Sequence, residues 1–79
     1  LPFVYILRCA DDSLYTGIAL DVANRLKAHQ AGKGARYTST RLPVRVVWQC
    51  EVATWSDAMR EERRIKRLPR KRKEQLFAP

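Results

Sequence analysis

Val4-Tyr5-Ile6-Leu7 and Leu14-Tyr15-Thr16-Gly17 are the two segments that decide the fold. Both are rich in β-branched and aromatic residues, and the polar residues 10–13 (ADDS) between them favour a turn, so together they predict a β-hairpin. A three-residue loop pairs Tyr5 with Gly17 and puts Tyr5 and Tyr15 on one face, whereas a two-residue loop puts the phenols on opposite faces. In the first register, Gly17 leaves room for another group to approach closely.

The size and charge of the chain limit what it can be. Its 79 residues predict one domain, residues 1–79, with a small core, and its formal charge of +8 favours a polyanionic partner. Nucleic acid is the first candidate and an anionic membrane surface a distant second. No apolar run approaches the length of a membrane span, and Cys9 and Cys50 read as reduced core thiols of a cytoplasmic protein.

A first helix is predicted over residues 22–31, with Asp21 as its N-cap and glycines after its end. Arg25 and His29 lie four residues apart on one side of it, next to apolar positions. The Arg25 guanidinium needs a partner, and two remain open: an ion pair with Asp21, or a bound phosphate. A lone helical histidine is more often a surface or core-edge residue than a catalyst.

Residues 33–42 (KGARYTSTRL) read as an exposed loop that contacts a ligand. Lys33, Arg36 and Arg41 could neutralise phosphates while Tyr37 stacks on an unpaired base. The alternative is a solvated basic loop with Tyr37 packed against the core.

A third strand is predicted over residues 44–52 and a second long helix over residues 55–68. Strict alternation along the strand puts one set of side chains in the core: Val44, Val46, Trp48, Cys50 and Val52. Thr54 or Ser56 caps the helix, whose apolar stripe is Trp55, Ala58, Met59, Ile65 and Leu68.

Glu62 lies within that stripe, where a carboxylate should not stay unpaired. It is predicted either to pair with a neighbouring cation such as Lys66 or to hold a metal ion facing the hairpin. Pro69 begins a last short helix that ends near Phe77. The cations of the two helices, including Lys66 and Arg70, are predicted to form a surface that follows phosphates.

The two tyrosine segments resemble the half-motifs of the GIY-YIG nuclease superfamily, specifically its small single-domain bacterial branch. The likeness runs from about residue 3 to residue 76, although Val4 replaces the isoleucine of the first half-motif and no glycine precedes it. It implies an α+β fold, a small three-stranded antiparallel sheet flanked by helices in the order strand, strand, helix, strand, helix, helix. The residue patterns above predict the same order.

By position, the resemblance implies a set of active-site residues: Tyr5 and Tyr15 of the motifs, Gly17 of the second motif, Arg25, His29, and Glu62 as ligand of a single Mg²⁺ or Mn²⁺. Tyr5 is the predicted acceptor of a proton from water, with His29 as the competing base. Tyr15 orders water or phosphate, and Arg25 neutralises charge growing on the phosphoryl group. Two departures stand out: Ile18 replaces a lysine, and no asparagine lies near Glu74.

The implied function is a metal-dependent endonuclease that hydrolyses DNA, with a lean towards single-stranded or branched substrates and a role in DNA repair or processing. The alternative is a non-catalytic nucleic-acid-binding or regulatory module that uses the same basic surface. Structured RNA is a further candidate ligand, and a partner protein could supply targeting. The expected location is the cytoplasm, in association with the nucleoid.

Overall fold

The computed structural model describes residues 1–78 and has α+β architecture, as predicted. Three antiparallel strands form one sheet in the order β2-β1-β3, with four helices around it. In chain order the elements are β1 (Phe3–Arg8), β2 (Leu14–Ala19), α1 (Val22–Gln30), α2 (Arg36–Ser39), β3 (Arg45–Glu51), α3 (Trp55–Lys66) and α4 (Arg70–Gln75). The predicted element order is confirmed, except that the segment read as a loop contains the short helix α2.

The hairpin takes the three-residue register. Tyr5 is opposite Gly17 and Leu7 is opposite Tyr15. The Cys9 amide donates to the Ser13 carbonyl at 2.9 Å, which closes the loop. Asp12 has a φ of 71°, a left-handed conformation that aspartate tolerates better than most residues, so the turn ends the way a three-residue hairpin requires.

Each face of the sheet carries its own part of the core. On the α1 face the buried cluster is Tyr5, Leu7, Cys9, Ala19, Val22 and Val44. On the other face, under α3 and α4, the buried cluster is Val4, Ile6, Ala58 and Ile65. The alternation of β1 therefore feeds both clusters, which is why its central residues are all buried.

The strict alternation predicted for β3 is wrong. Ile6 is opposite Trp48 and Leu7 is opposite Val46, so Val47 is an extra residue at a β-bulge. Val46 packs in the cluster on the α1 face, while Val47 and Trp48 both pack on the other face. Cys50 is exposed on this outer strand and Cys9 is buried, so both are free thiols but only Cys9 is a core residue.

The helices begin where the capping residues predict. The Asp21 side chain accepts a hydrogen bond from the Asn24 amide, and the Thr54 side chain accepts one from the Asp57 amide. Pro69 is the N-cap of α4. Trp55 and Met59, assigned to the apolar stripe of α3, are about half exposed, because α3 buries only its Ala58 and Ile65 side. No helix within residues 1–78 is long and apolar enough to cross a membrane.

Candidate active site

The Tyr5 ring crosses directly over Gly17, its partner on β2. A Cβ atom added at Gly17 would lie 2.5 Å from the Tyr5 hydroxyl and 2.6 Å from the carbon that bears it. The group that Gly17 makes room for is therefore the phenol of the opposite strand. Tyr15 follows the same face of β2, so the hairpin register puts both phenols in one place.

His29 joins the two tyrosines from α1. Its Nε2 lies 2.9 Å from the Tyr5 hydroxyl, and its ring meets the Tyr15 ring edge-on with centroids 5.3 Å apart. The imidazole is completely buried, and Tyr5 is only 1% exposed. On the other side of the ring, Nδ1 lies 2.8 Å from the Thr38 hydroxyl of α2.

The direction of these hydrogen bonds follows from Thr38. Its hydroxyl donates to the Ala35 carbonyl at 3.1 Å, which uses its one proton. We infer that it accepts from His29, with the proton of the neutral imidazole on Nδ1 and Nε2 left as an acceptor. Tyr5 then donates to Nε2, and a continuous hydrogen-bond relay runs from Tyr5 through His29 and Thr38 to Ala35.

Arg25 is held beside this relay by the backbone rather than by an acid. Its Nη2 donates to the Gly34 carbonyl at 2.9 Å, while the Asp21 carboxylate is bonded to Asn24. The predicted Asp21 ion pair is therefore absent, and within residues 1–78 no carboxylate lies within ion-pair distance of Arg25. The remaining guanidinium donors are available to an anion.

Gly34 also fixes the position of His29. A Cβ atom there would overlap the imidazole, because the backbone passes directly against the ring. Gly34 thus contacts His29 and binds Arg25 through its carbonyl. The basic segment after α1 therefore positions the side chains of that helix.

Glu62 lies on α3, which packs on the edge strand β2 and on β1. Its carboxylate is 25% exposed, and Lys66 lies 3.5 Å away on the next turn, one of the partners the sequence offered. The neighbouring Glu61 is bonded to Arg64 instead. The Glu62 charge also acts on the Tyr5 hydroxyl, so the acid of α3 and the phenol of β1 are electrostatic neighbours.

Burial dominates the protonation of the relay. It raises the pKa of Tyr5 above 10.0, with smaller increases from the charges of Tyr15 and Glu62, while the Arg25 guanidinium offsets only part of the rise. Burial, followed by the Arg25 charge, lowers the pKa of His29 below 6.5. At neutral pH both groups are therefore uncharged.

The acidic side chains provide few metal ligands. Within residues 1–78 no three His, Cys, Asp or Glu side chains are grouped as a metal site. Glu62 offers one partly exposed carboxylate whose partner is a flexible lysine. Such a donor fits Mg²⁺ or Mn²⁺, because small hard cations keep several waters and take only one or two protein carboxylates beside substrate phosphates.

The side chains of the basic segment, residues 33–42, differ in how free they are to contact a ligand. The Tyr37 ring is 39% exposed, stacks on Tyr15 at 6.1 Å, and has the Arg41 guanidinium 3.8 Å from its centroid. Arg41 also bonds the Asp11 carboxylate at 3.0 Å. Lys33 and Arg36 are exposed and form no ion pair within the described residues. Of this segment, Lys33 and Arg36 are the cations best placed to meet a phosphate.

Two further residues predicted to contact substrate, Lys66 and Arg70, are paired with other groups of the protein. Lys66 faces Glu62, and Arg70 donates to the Asp12 carbonyl at 2.5 Å and to the Glu74 carboxylate at 3.3 Å. Arg70 therefore connects α4 to the hairpin turn, a role that its place in a cationic run did not indicate. Its predicted contact with substrate remains a prediction.

The three-stranded sheet and the two tyrosines that its hairpin puts on one face fit a domain of the GIY-YIG type. The family model described as "GIY-YIG catalytic domain" matches residues 1–75. The chain belongs to the GIY-YIG family.

Its similar relatives are bacterial proteins named only UPF0213. One from Oceanobacillus iheyensis is 50% identical over 75 residues, which cover 95% of this chain and 87% of that protein. One from Cupriavidus necator is 50% identical over 66 residues, covering 84% of this chain and 72% of that protein. The solution NMR structure of a UPF0213 protein from Bacillus halodurans is 44% identical, with a TM-score of 0.63, and covers all of this chain and 89% of that one. These names state no substrate.

Sequence reasoning missed Thr38 as a member of the site and the close approach of Gly34 to His29. A local signal for Thr38 does exist, since a threonine in a first helical turn often donates to the carbonyl three residues earlier. Nothing local pairs it with His29, because that contact depends on how α2 folds back onto α1.

Proposed function

We propose that this protein is a divalent-metal-dependent endonuclease that hydrolyses DNA phosphodiester bonds by direct attack of water. The observation that carries the proposal is the Tyr5 hydroxyl, which ends a buried relay and is also acted on by the charges of Arg25 and Glu62. These charges support a site in which Tyr5 accepts a proton, Arg25 binds the phosphate and Glu62 holds the metal ion.

Tyr5 rather than His29 is the group that meets the attacking water. Both groups are buried, but the charges of Arg25 and Glu62 both act on the Tyr5 hydroxyl, whereas of these two only Arg25 acts on His29, which is bonded to the phenol through Nε2. Because the pKa of Tyr5 is raised, a free phenolate is a costly intermediate. We therefore propose that Tyr5 takes the water's proton as its own proton passes to His29 Nε2, so that no free phenolate forms. The hydroxide bonds to phosphorus as the bond to the departing oxygen breaks, and the transferred proton is held on His29 as an imidazolium.

Arg25 stabilises the charge that grows on the phosphoryl oxygens. Its anchor at the Gly34 carbonyl holds the guanidinium before substrate arrives, so little reorganisation is needed in the transition state. Glu62 would hold Mg²⁺ or Mn²⁺ once Lys66 moves aside. When bound, such a cation polarises the scissile phosphate and stabilises the departing oxygen.

A cleavage assay with matched carboxylate variants tests this proposal. Labelled single-stranded, duplex and branched DNA are incubated with Mg²⁺ or Mn²⁺ and with wild type, Glu62→Gln or Glu61→Gln. Glu62→Gln should lower the rate at least about 100-fold, whereas Glu61→Gln, which changes an acid bonded to Arg64, should stay within about threefold. Equal product from wild type and Glu62→Gln on every substrate would remove the nuclease assignment.

The second candidate is a non-catalytic nucleic-acid-binding module, favoured by the cations of α3 and α4. Several of them form no ion pair within residues 1–78: Arg63, Arg67, Lys71, Arg72 and Lys73. Such a module predicts affinity that falls steeply with salt and is unchanged by EDTA. Competition between DNA and RNA in the same binding assay shows which nucleic acid such a module binds. For the nuclease, cleavage of branched DNA would support a role in DNA repair.

A further inference from the structure

A shallow apolar hollow lies next to the candidate active site, between β2, α1 and the first turn of α3. It is a surface depression of about 560 Å³ that opens widely to solvent. Its lining includes apolar side chains, Ile18, Leu20 and Trp55, and polar ones, Asp21, Asn24 and Arg25.

The apolar part is unusually exposed for so small a protein. Leu20 is 68% exposed and Trp55 is 49% exposed, and they lie on different elements that meet at the hollow. Trp55 is the first residue of α3, and although it shares a side with Ala58 by spacing, it is not among the side chains packed against the cluster of Ala58 and Ile65. An exposed indole beside aliphatic side chains offers a flat apolar surface without an occupant.

Arg25 connects the hollow to the chemistry. It lines the hollow, and its charge also acts on the Tyr5 hydroxyl. A phosphate bound by Arg25 would therefore have its attached nucleoside beside Trp55. The bound DNA strand would then extend from the Tyr5–His29 relay to the hollow, with its phosphate in contact with the Arg25 guanidinium.

The polar groups of the hollow suit a base better than a second phosphate. The Asp21 carboxylate lies within it and would repel an anion, although it is already bonded to Asn24 through both oxygens at 3.0 and 3.1 Å. Those bonds use the backbone N–H and the side-chain Nδ2 of Asn24, so its side-chain Oδ1 is left to accept from a base amino group.

We propose that this hollow binds one unpaired nucleobase next to the phosphate held by Arg25, with Trp55 as the stacking residue. The inference rests on the proposed nucleic-acid substrate and makes it more specific. A base in a duplex is already stacked and paired, so only single-stranded, bulged or frayed DNA can place a base there. Tyr37 is less suited to this role, because the Arg41 guanidinium already lies over its ring.

Binding without cleavage tests the proposal. Fluorescence anisotropy in EDTA measures the affinity of the full chain for a short single-stranded DNA, for the same strand with abasic positions, and for a duplex. Trp55→Ala should weaken binding to the intact strand about 5- to 100-fold, and Trp55→Phe should remain within about threefold of wild type. Met59→Ala is the matched control, since Met59 is also half exposed on α3 but does not line the hollow.

The abasic strand separates stacking from a general loss of structure. Wild type should bind it about as weakly as Trp55→Ala binds the intact strand, and Trp55→Ala should lose little more on the abasic strand. Equal affinity of wild type and Trp55→Ala for the intact strand would overturn the proposal, as would equal affinity of wild type for the intact and abasic strands, or no single-strand binding at low salt.

The outcome is distinguishable from that of the nuclease assignment. If base-dependent binding is found but Glu62→Gln and wild type cleave equally little, the hollow binds a base in a protein that is not a nuclease. If cleavage depends on Glu62 but Trp55→Ala binds and cleaves like wild type, the nuclease assignment stands and the base-binding hollow does not.

Discussion

Replacing Thr38 by valine removes the hydroxyl that orients His29 while keeping nearly the same shape. Thr38 and His29 are completely buried, so the His29 Nδ1 proton would lose its acceptor at 2.8 Å without gaining a water molecule. A buried donor left without a partner costs about 1–3 kcal/mol, and we expect the free energy of unfolding to fall by that amount. The partly exposed Ala35 carbonyl adds little, because solvent can replace the lost donor.

Ser39 is the matched control, since it donates to the Arg36 carbonyl from the next position of α2, at 2.8 Å and on the surface. Ser39→Ala should change the unfolding free energy by less than about 0.5 kcal/mol, and Thr38→Ser should restore most of what Thr38→Val loses. Urea unfolding followed by tryptophan fluorescence measures all three variants.

Nitrogen NMR of the single histidine reads the relay directly. Wild type should show the proton on Nδ1, whereas Thr38→Val permits the other tautomer, in which Nε2 can no longer accept from Tyr5. If Tyr5 is the proton acceptor, cleavage by Thr38→Val should also fall about 10- to 100-fold. Wild type with its proton on Nε2, or Thr38→Val as stable as Ser39→Ala, would refute the relay.

Three further outcomes are expected. Burial lowers the pKa of His29 below 6.5, so below that pH the unfolded chain binds more protons than the folded protein. The free energy of unfolding should therefore fall as the pH drops from about 6.5 through the folded pKa. In urea titrations, His29→Gln should remove this dependence on pH. Gly17→Ala should lower the free energy of unfolding by about 1–3 kcal/mol and should slow cleavage, because the added methyl group would displace the Tyr5 phenol. Gly32→Ala is the control: its φ is 78° and the space around it is open, so the variant should lose about 1 kcal/mol and cleave DNA like wild type. Thiol labelling should modify Cys50 quickly and Cys9 only on unfolding, and equal rates would contradict their placement.

The hairpin shows how far local sequence reasoning reaches. Alternation and turn composition restricted it to two registers, and in one of them Tyr5 lies opposite Gly17 with both phenols on one face. The structure has that register. The helix start at Asp21 was also predicted from the sequence, and the start of α3 was narrowed to Thr54 or Ser56, of which Thr54 is the cap. Both starts are predictable because a capping side chain bonds an amide three residues away.

Long-range packing decided what local patterns could not. The bulge at Val47 arises where β3 must pair with β1 and pack on two helices, so alternation within β3 alone gave the wrong face for part of the strand. Trp55 belongs to an apolar stripe by spacing, yet it is half exposed, because the packing against Ala58 and Ile65 does not extend to the first residue of α3.

The amino-acid sequence by itself determined the family, the order of the three strands and the longer helices, and the capping residues, since each depends on residue identity at short spacing. The tertiary structure alone decided that His29 lies between Tyr5 and Thr38, that Gly34 rather than Asp21 holds Arg25, and that Trp55 faces a hollow. The physical reason is distance along the chain. Tyr5 and His29 are 24 residues apart, and only the packing of α1 against the sheet brings the phenol and the imidazole within one hydrogen bond.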